Sequence, residues 1–135
     1  MPLNTIISNS LEDYLEAILI ISEKNNNVVR ITDLAEFMGI AKPSATEAVK
    51  SLVDLGFLKH EKYGPVELTD GGRKRAVEVR RRHHLIKKFL VEVLGVPWEI
   101  AEEDACLMEH AVSADTISRL LAFLESYIAV DEKEK

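Results

Sequence analysis

The sequence has little cysteine and no long hydrophobic run, and each shortage excludes a class of protein. Cys106 is the single cysteine among 135 residues, so no internal disulfide can form. The longest uninterrupted apolar runs are only a few residues long, as in Ala17–Ile21, so no membrane-spanning helix is predicted. Met1–Ser10 has neither a basic nor a long apolar region, so we expect no secretory signal and a cytoplasmic protein. With 47% hydrophobic and 30% charged residues, the chain is expected to fold as one small domain or two units.

The net charge of −6 is distributed unevenly along the chain. Residues 42–88 hold 12 basic against 6 acidic residues, whereas residues 89–135 hold 3 against 11. A local basic surface favours a polyanionic partner such as nucleic acid, and the acidic half is expected to stay away from it.

Hydrophobic spacing and turn residues predict a mainly α protein with a small β-hairpin. Helices are predicted at 10–24, 33–38, 43–55, 70–94, 97–111 and 114–129, and the hairpin at 57–68. The predicted N-cap residues are Ser10, Thr32, Thr69 and Ser113. The second and third helices, joined by a tight turn at Gly39, form a helix-turn-helix, and the hairpin makes it a winged helix-turn-helix. We predict this DNA-binding domain at 1–70 and a helical domain at 71–135.

The last predicted helix carries an apolar stripe at spacings of three and four residues, which predicts a buried face. The stripe consists of Ile117, Leu120, Leu121, Leu124 and Ile128. In so short a chain, a second copy is one expected partner for this face.

The second helix of a helix-turn-helix presents its N-terminal end to base edges in the major groove. The candidate DNA contacts on this helix and on the wing are Lys42, Pro43, Ser44, Thr46, Glu47, Lys50, Lys62 and Tyr63. Lysines can reach phosphates, Ser44 and Thr46 can donate to phosphates or bases, and Glu47 can accept from cytosine N4. The alternative is an ordinary solvated face of a three-helix unit.

A second cluster, in the predicted helix 97–111, has the residue types of a transition-metal site. Cys106, Glu109 and His110 lie at i, i+3 and i+4, which places a sulfur, an oxygen and a nitrogen donor on one helix face. Glu102, one turn before Cys106, extends that face and is a possible further ligand. Alternatively, Cys106 is a small buried residue and His110 is favoured at a helix C-terminus by the dipole.

Other helices offer further donors of the same kind. Asp13 and Glu16 lie one turn apart on the first helix, and His83 lies on the fourth. A metal site in a helical protein needs such donors from several helices. The alternatives are that Asp13 completes a capping box with Ser10 and that Glu16 and His83 are solvated.

The motifs that carry both features resemble those of the diphtheria toxin repressor and manganese transport regulator family. The resemblance extends over roughly residues 10–128 and is carried by Ser10–Ile18, Pro43–Glu47, Leu68–Gly72, Arg82–Leu85 with Phe89–Leu90, and Ala105–Ser113. It implies a cytoplasmic homodimeric repressor that binds double-stranded operator DNA through the winged helix-turn-helix, with Mn²⁺ or Fe²⁺ as co-repressor. Its C-terminal helices are implied to supply dimerisation and metal binding, as in the short members without an SH3-like domain.

The metal ligands implied by the resemblance are Asp13, Glu16, His83, Cys106, Glu109 and His110. This set is a hybrid, because Asp13 is typical of the manganese-type members and Cys106 of the iron-type members. Carboxylates suit Mn²⁺ and a thiolate favours Fe²⁺ and later metals, so Zn²⁺ or Co²⁺ is expected to bind in vitro.

Two further positions depart from the family pattern. Lys87 stands where iron-type members have a glutamate of an ancillary metal site, to which Glu102 also belongs. A protonated lysine cannot bind a metal, which puts that ancillary site in doubt. Ala41 stands where relatives often have a serine that caps the third helix, so this helix is expected to lack a side-chain cap.

Three other functions stay open at this point. A winged-helix regulator that senses no metal would bind DNA whether or not a chelator is present. A small metalloenzyme needs open metal positions and an acid–base pair beyond the ligands, and the sequence offers no such pair. A pure interaction module would bind no DNA duplex at low salt.

Overall fold

Six α-helices and one hairpin follow each other along the chain, which the computed structural model describes for residues 9–134, with side chains for 10–128. The helices are α1 Asn9–Lys24, α2 Ile31–Met38, α3 Lys42–Asp54, α4 Asp70–Lys88, α5 Trp98–Ala111 and α6 Ala114–Glu134. The strands are β1 Leu58–His60 and β2 Val66–Leu68, and a π-helical turn occupies Phe89–Val93. The mainly α class with a hairpin wing is confirmed. The prediction about a signal peptide lies almost entirely outside the described residues.

The chain divides into two compact units, Met1–Val79 and Arg80–Lys135, with the division inside α4. The first unit holds the helix-turn-helix and the wing. The boundary predicted at residue 70 stays a prediction.

The core of the first unit is made by α1, α2, α3 and the hairpin. Leu15, Ile18 and Leu19 of α1 are fully buried, at the spacing of one helix face. They belong to one hydrophobic cluster with Leu34 of α2 and Leu52 of α3. Because α2 and α3 bury their inner faces in the same cluster, their outer faces remain in solvent.

The wing is attached to this core by its strands. β1 and β2 pair antiparallel, with Lys59 opposite Glu67. Leu58 and Val66 are buried, and Val66 also forms a bridge with Val29 ahead of α2. The buried strand residues fix the hairpin, so its loop projects beside the helix-turn-helix.

The predicted helix caps are confirmed at two positions and wrong at two. The Thr69 hydroxyl accepts from the Gly72 backbone N–H at 3.0 Å and donates to the Gly56 carbonyl at 2.7 Å. The Ser113 hydroxyl accepts from the Thr116 N–H at 3.2 Å. Ser10 lies within α1, which begins at Asn9, and Thr32 lies within α2, which begins at Ile31.

The cap of α2 comes from a residue inside the helix and not from the residue before it. The backbone N–H of Arg30 donates to Asp33 Oδ2 at 3.1 Å, so Asp33 in the first turn reaches back to the residue before the helix. For α3, the residue before the helix is Ala41, which makes no side-chain cap, as predicted. Pro43 in the first turn of α3 has no N–H that would need a cap.

The second unit is built on a separate hydrophobic cluster. Ile86 of α4, Ala101 and Ala105 of α5 and Leu121 and Leu124 of α6 are buried in it. The predicted helix at 70–94 is α-helical only to Lys88, because the next five residues form a π-helical turn that ends before Gly95 (φ 71°). Within the part of the chain that the structure describes, no helix is long and apolar enough to cross a membrane.

Candidate nucleic-acid interface and metal donors

The outer face of α3 carries the predicted DNA contacts. Its inner positions Ala45, Ala48, Val49 and Leu52 are buried, which fixes the opposite face in solvent. The exposed residues include all six predicted contacts on α3, namely Lys42, Pro43, Ser44, Thr46, Glu47 and Lys50. All of them except Ser44 line one open groove of about 430 Å³.

The hydrogen bond made by Thr46 changes what this residue can do. Its hydroxyl donates to the backbone carbonyl of Lys42, one turn earlier, at 3.0 Å. The sequence predicted Thr46 as a donor to DNA, but the structure uses that donor within the helix and leaves the oxygen as an acceptor. Ser44 is exposed in the first turn of α3.

The loop of the wing presents Tyr63, which is 89% exposed. The Gly64 N–H donates to the Glu61 carbonyl at 2.9 Å, which closes a four-residue turn. Tyr63 is the third residue of that turn and has φ 62°, a conformation that tyrosine rarely adopts. The Lys62 ammonium lies 5.3 Å from the centre of the Tyr63 ring. Both predicted wing contacts are therefore in solvent.

Sequence reasoning missed two basic residues of this surface. Arg30 and His60 line a second groove of about 280 Å³, together with Lys42, Thr32 and Tyr63. Arg30 lies in the loop before α2 and His60 at the end of β1, so neither belongs to the helix that the motif singles out. Their position at the border of the helix-turn-helix and of the wing is the sequence feature that marks them.

In the second unit, α5 brings the three predicted donors together. Cys106 and His110 are partly buried and Glu109 is buried, with 6% of its surface exposed. The Cys106 sulfur lies within 4.8 Å of a ring nitrogen of His110, and a carboxylate oxygen of Glu109 lies within 4.8 Å of a His110 ring nitrogen. A thiol, a carboxylate and an imidazole at such separations suit a transition-metal ion.

Arg82 of α4 accompanies the buried carboxylate. Its Nη2 lies 3.1 Å from Glu109 Oε1. The Glu109 side chain is only 2% exposed, so a cation near it compensates a charge that water does not reach.

His83 lies in a different cluster of the same unit. Its Nε2 is 3.4 Å from Glu102 Oε1, and the ammonium of Lys87 contacts the other oxygen of Glu102. The Lys87 ammonium also lies 3.0 Å from the ring centre of Trp98. The hydrogen bond from Lys87 is the main reason that the pKa of Glu102 is lowered, although partial burial acts in the opposite direction. Lys87 thus supplies the positive charge at Glu102.

In the first unit, α1 carries the remaining predicted donors. Asp13 and Glu16 are both partly buried and lie one turn apart on this helix. The neighbouring Glu12 is buried and lies 3.6 Å from Nη1 of Arg75, a pair that sequence reasoning missed. Two partly buried carboxylates on one face are the hard oxygen donors expected there.

Two protein-family models match the chain. The model described as the N-terminal DNA-binding domain of iron-dependent repressors matches residues 7–66. The model described as the metal-binding and dimerisation domain of iron-dependent repressors matches residues 69–132. Together they span nearly the whole sequence.

Individual relatives agree with these models. The chain is 40% identical over 119 residues to the transcriptional regulator MntR of Salmonella typhimurium, covering 87% of this chain and 73% of that protein. It is 38% identical over 121 residues to an uncharacterized HTH-type transcriptional regulator of Methanocaldococcus jannaschii, covering 90% of this chain and 97% of that one. Both relatives are named as regulators of transcription, which favours a regulator over an enzyme.

A solved structure of a manganese-dependent transcriptional repressor, in complex with manganese, has the same fold. Its TM-score is 0.73 at 36% sequence identity, over 85% of this chain and 52% of the repressor chain. The chain thus spans about half the length of that repressor.

Proposed function

The chain belongs to the iron-dependent repressor family, and we propose that it is a cytoplasmic repressor that binds operator DNA as a homodimer when it holds Mn²⁺ or Fe²⁺. The observation that carries this proposal is the donor set of α5 in a chain that also presents a basic helix-turn-helix face. Cys106, Glu109 and His110 lie on one helix face. A ring nitrogen of His110 lies within 4.8 Å of the Cys106 sulfur, and one lies within 4.8 Å of a Glu109 carboxylate oxygen. The DNA face consists of the α3 groove, lined by Lys42, Pro43, Thr46, Glu47 and Lys50, and of the exposed wing residues Lys62 and Tyr63.

The proposed DNA contacts keep the roles that the fold allows. Lys42 and Lys50 bind phosphates, because both are exposed and line the α3 groove. Pro43 and Ser44 approach the bases from the first turn, and Glu47 accepts from cytosine. In a dimer, two copies of α3 must lie about 34 Å apart to read two half-sites.

The proposed ligand set combines the α5 triad with the other expected donors. These are Asp13, Glu16 and His83, with Glu102 as a further possibility. The residues of α5 fit a divalent transition metal, since a thiolate, a carboxylate and an imidazole are all accepted ligands. When bound, the ion supplies two positive charges to a group of acidic donors, and this makes the DNA-binding state the more stable one. Zn²⁺ and Co²⁺ are expected to substitute in vitro.

Homodimer formation is supported by apolar side chains left in solvent on the second unit. Phe123 and Tyr127 of α6 are 59% and 45% exposed, with their ring centres 6.1 Å apart. Trp98 and Leu107 of α5 are about as exposed, at 61% and 62%. Exposed apolar residues of this size on α5 and α6 favour a protein partner, and we propose a second copy of this chain as that partner.

The test is DNA binding with and without metal. Duplexes are first enriched from a random pool in a mixture of divalent metals. Fluorescence anisotropy is then measured without oxygen, because the Cys106 thiol can oxidise, at one fixed salt concentration. We expect Mn²⁺ or Fe²⁺ to tighten binding at least tenfold over the chelated protein, about 1.4 kcal/mol. Equal binding with and without chelator would instead indicate a winged-helix regulator that senses no metal.

A variant pair assigns the effect to α5. The double substitution Glu109→Ala with His110→Ala is expected to abolish the metal stimulation. The control is Glu103→Ala, which removes an exposed carboxylate from the same helix. Unchanged stimulation in the double variant would contradict the proposal. Turnover by the purified metal form would favour the metalloenzyme, and absence of duplex binding at low salt would favour an interaction module.

A further inference from the structure

The second groove of the first unit gathers basic side chains from three separate elements. Arg30 comes from the loop before α2, Lys42 from the start of α3 and His60 from the end of β1. The groove has a volume of about 280 Å³, and Tyr63 of the wing forms part of its wall. Residues so far apart in sequence meet here because the fold places the wing beside the helix-turn-helix.

Within the described part of the chain, no carboxylate compensates the positive charge of this groove. The described residues that line it include no aspartate or glutamate. Among residues 10–128, whose side chains the structure describes, neither Arg30 nor Lys42 nor His60 forms an ion pair with a carboxylate. Asp33, the acidic residue nearest to Arg30 in sequence, accepts from the Arg30 backbone N–H at 3.1 Å and so serves as the helix cap. Basic groups that converge without a counter-charge favour an anionic ligand.

We propose that this groove binds a backbone phosphate of the operator DNA, with Arg30 and His60 as phosphate contacts that the helix-turn-helix motif does not assign. Arginine suits this role because its planar guanidinium can donate two parallel hydrogen bonds to phosphate oxygens. The inference rests on the proposed function, since it takes DNA as the partner.

The position of the groove favours a phosphate of DNA over a free anion. Lys42 lines both this groove and the α3 groove that holds Thr46 and Glu47. A DNA strand whose phosphate is bound by Arg30 and Lys42 would therefore run on directly to the α3 groove, which is proposed to contact the bases. Such a contact fixes the register of the helix on the duplex without reading sequence itself.

The first test compares charge-removing variants on the selected duplex. The variants are Arg30→Gln and His60→Asn, and the control is Lys24→Gln, which removes one charge from the exposed last turn of α1. With metal-loaded protein, we expect Arg30→Gln to weaken binding about tenfold. The slope of log affinity against log salt should also fall by about 0.9, the value for one phosphate contact. Lys24→Gln should change neither quantity, and an equal loss in Arg30→Gln and Lys24→Gln would overturn the proposal.

The second test finds the phosphate. Methylphosphonate, which carries no charge, is placed at one backbone position at a time. We expect one position in each half-site where the neutral group weakens DNA binding by the wild type and by Lys24→Gln. At that position it should not weaken DNA binding by Arg30→Gln further. Additive losses at every position would overturn the proposal, as would unchanged binding by both Arg30→Gln and His60→Asn.

A third measurement separates DNA from a free phosphate. Inorganic phosphate is added to the protein without DNA, against chloride at equal ionic strength, and the His60 imidazole is followed by NMR. Saturable millimolar binding of phosphate, without any position in the methylphosphonate series that couples to Arg30, would assign the groove to a free anion and overturn the proposal. A wild-type protein that binds no duplex would overturn the proposed function itself, a result different from wild-type binding with unaffected variants.

Discussion

Arg82 holds a guanidinium nitrogen 3.1 Å from a carboxylate oxygen of Glu109, whose side chain is 2% exposed. Glu109 is at the same time one of the three donors that α5 offers to a metal. In the protein without metal, Arg82 therefore compensates a charge that a divalent ion is proposed to compensate in the loaded protein. The two cations act on the same carboxylate, and this relationship can be tested by stability.

The first prediction concerns Arg82→Gln. Removing the guanidinium from a buried carboxylate is expected to lower the free energy of unfolding of the chelated protein by roughly 2–4 kcal/mol. The double variant Arg82→Gln with Glu109→Gln should recover most of the loss, because no buried charge remains. Thermal unfolding followed by circular dichroism gives both values. We also expect Mn²⁺ to raise the unfolding temperature of Arg82→Gln more than that of the wild type, and an equal shift would contradict the shared role of the carboxylate.

The second prediction concerns the sulfur donor. Cys106→Asp replaces a thiolate by a carboxylate, so binding should shift from Zn²⁺ and Co²⁺ toward Mn²⁺. Competition between metals under anaerobic equilibrium dialysis measures this ratio. The Co²⁺ form of the wild type should show sulfur-to-cobalt charge-transfer absorption in the near ultraviolet, and the variant should not. A wild-type spectrum without that absorption would show that Cys106 does not coordinate.

Two adjacent glycines at the start of α4 are predicted to respond in opposite directions. A Cβ on Gly72 would lie 1.9 Å from the Phe57 carbonyl oxygen, a backbone atom that cannot move aside cheaply. Gly72→Ala should therefore destabilise the protein by about 3 kcal/mol or more. A Cβ on Gly71 meets only the Thr69 hydroxyl at 3.9 Å, so Gly71→Ala should stabilise the helix by about 0.5–1 kcal/mol. Urea unfolding of the two variants should show opposite shifts, and shifts of the same sign would contradict the packing at Phe57.

The fourth prediction concerns acid unfolding. The contact with Lys87 lowers the pKa of Glu102, so it contributes stability above the ordinary glutamate pKa, about 4.3, and loses it as the pH falls through the lowered pKa. Glu102→Gln should therefore melt at a lower temperature than the wild type at neutral pH, and this difference should vanish in acid. The measurement uses chelated protein at a series of pH values. Glu103→Gln, on the same helix, is the control, and a difference that persists in acid would contradict the assignment.

Periodicity and turn residues were enough to predict most elements of this fold. Apolar spacing located the six helices, and Thr69 and Ser113 were recognisable caps because their hydroxyls precede long helices. The start of α2 was missed because its cap is Asp33 inside the helix, bonded to the backbone of Arg30. Nothing in local spacing distinguishes that arrangement from a cap at Thr32.

The closeness of the candidate donors was predictable where they share one helix, whereas pairs formed between helices were not. Cys106, Glu109 and His110 follow from i, i+3 and i+4 spacing alone. The pair of Arg82 with Glu109 joins residues on different helices, and its contact depends on how α4 and α5 pack in the second unit. The groove lined by Arg30 and His60 was not predicted for the same reason, because these residues lie on a loop and on a strand that are distant in sequence.

The fifth prediction concerns Tyr63, which occupies a turn position that normally requires glycine. Its φ of 62° costs a non-glycine residue roughly 1 kcal/mol, and a ring that is 89% exposed recovers little by packing. Tyr63→Gly should therefore raise the free energy of unfolding by about 1 kcal/mol, less any entropy gained by the unfolded chain. In the proposed repressor, the same change should weaken DNA binding, because the wing loses the ring that contacts the duplex.

A variant that gains stability and loses DNA affinity would show that the Tyr63 ring contacts DNA and is not merely exposed. Tyr63→Phe keeps the ring and should bind DNA as the wild type does if the ring surface makes the contact. Asn27→Gly relieves a similar conformation, φ 67°, at a residue that lines neither of the two grooves assigned to DNA, so it should leave binding unchanged. Thermal unfolding and fluorescence anisotropy on the same protein samples give both quantities. If Tyr63→Gly gains stability and keeps full affinity, the exposed ring has no part in binding the duplex, and the wing contacts DNA through its other candidate residues, Lys62 and His60.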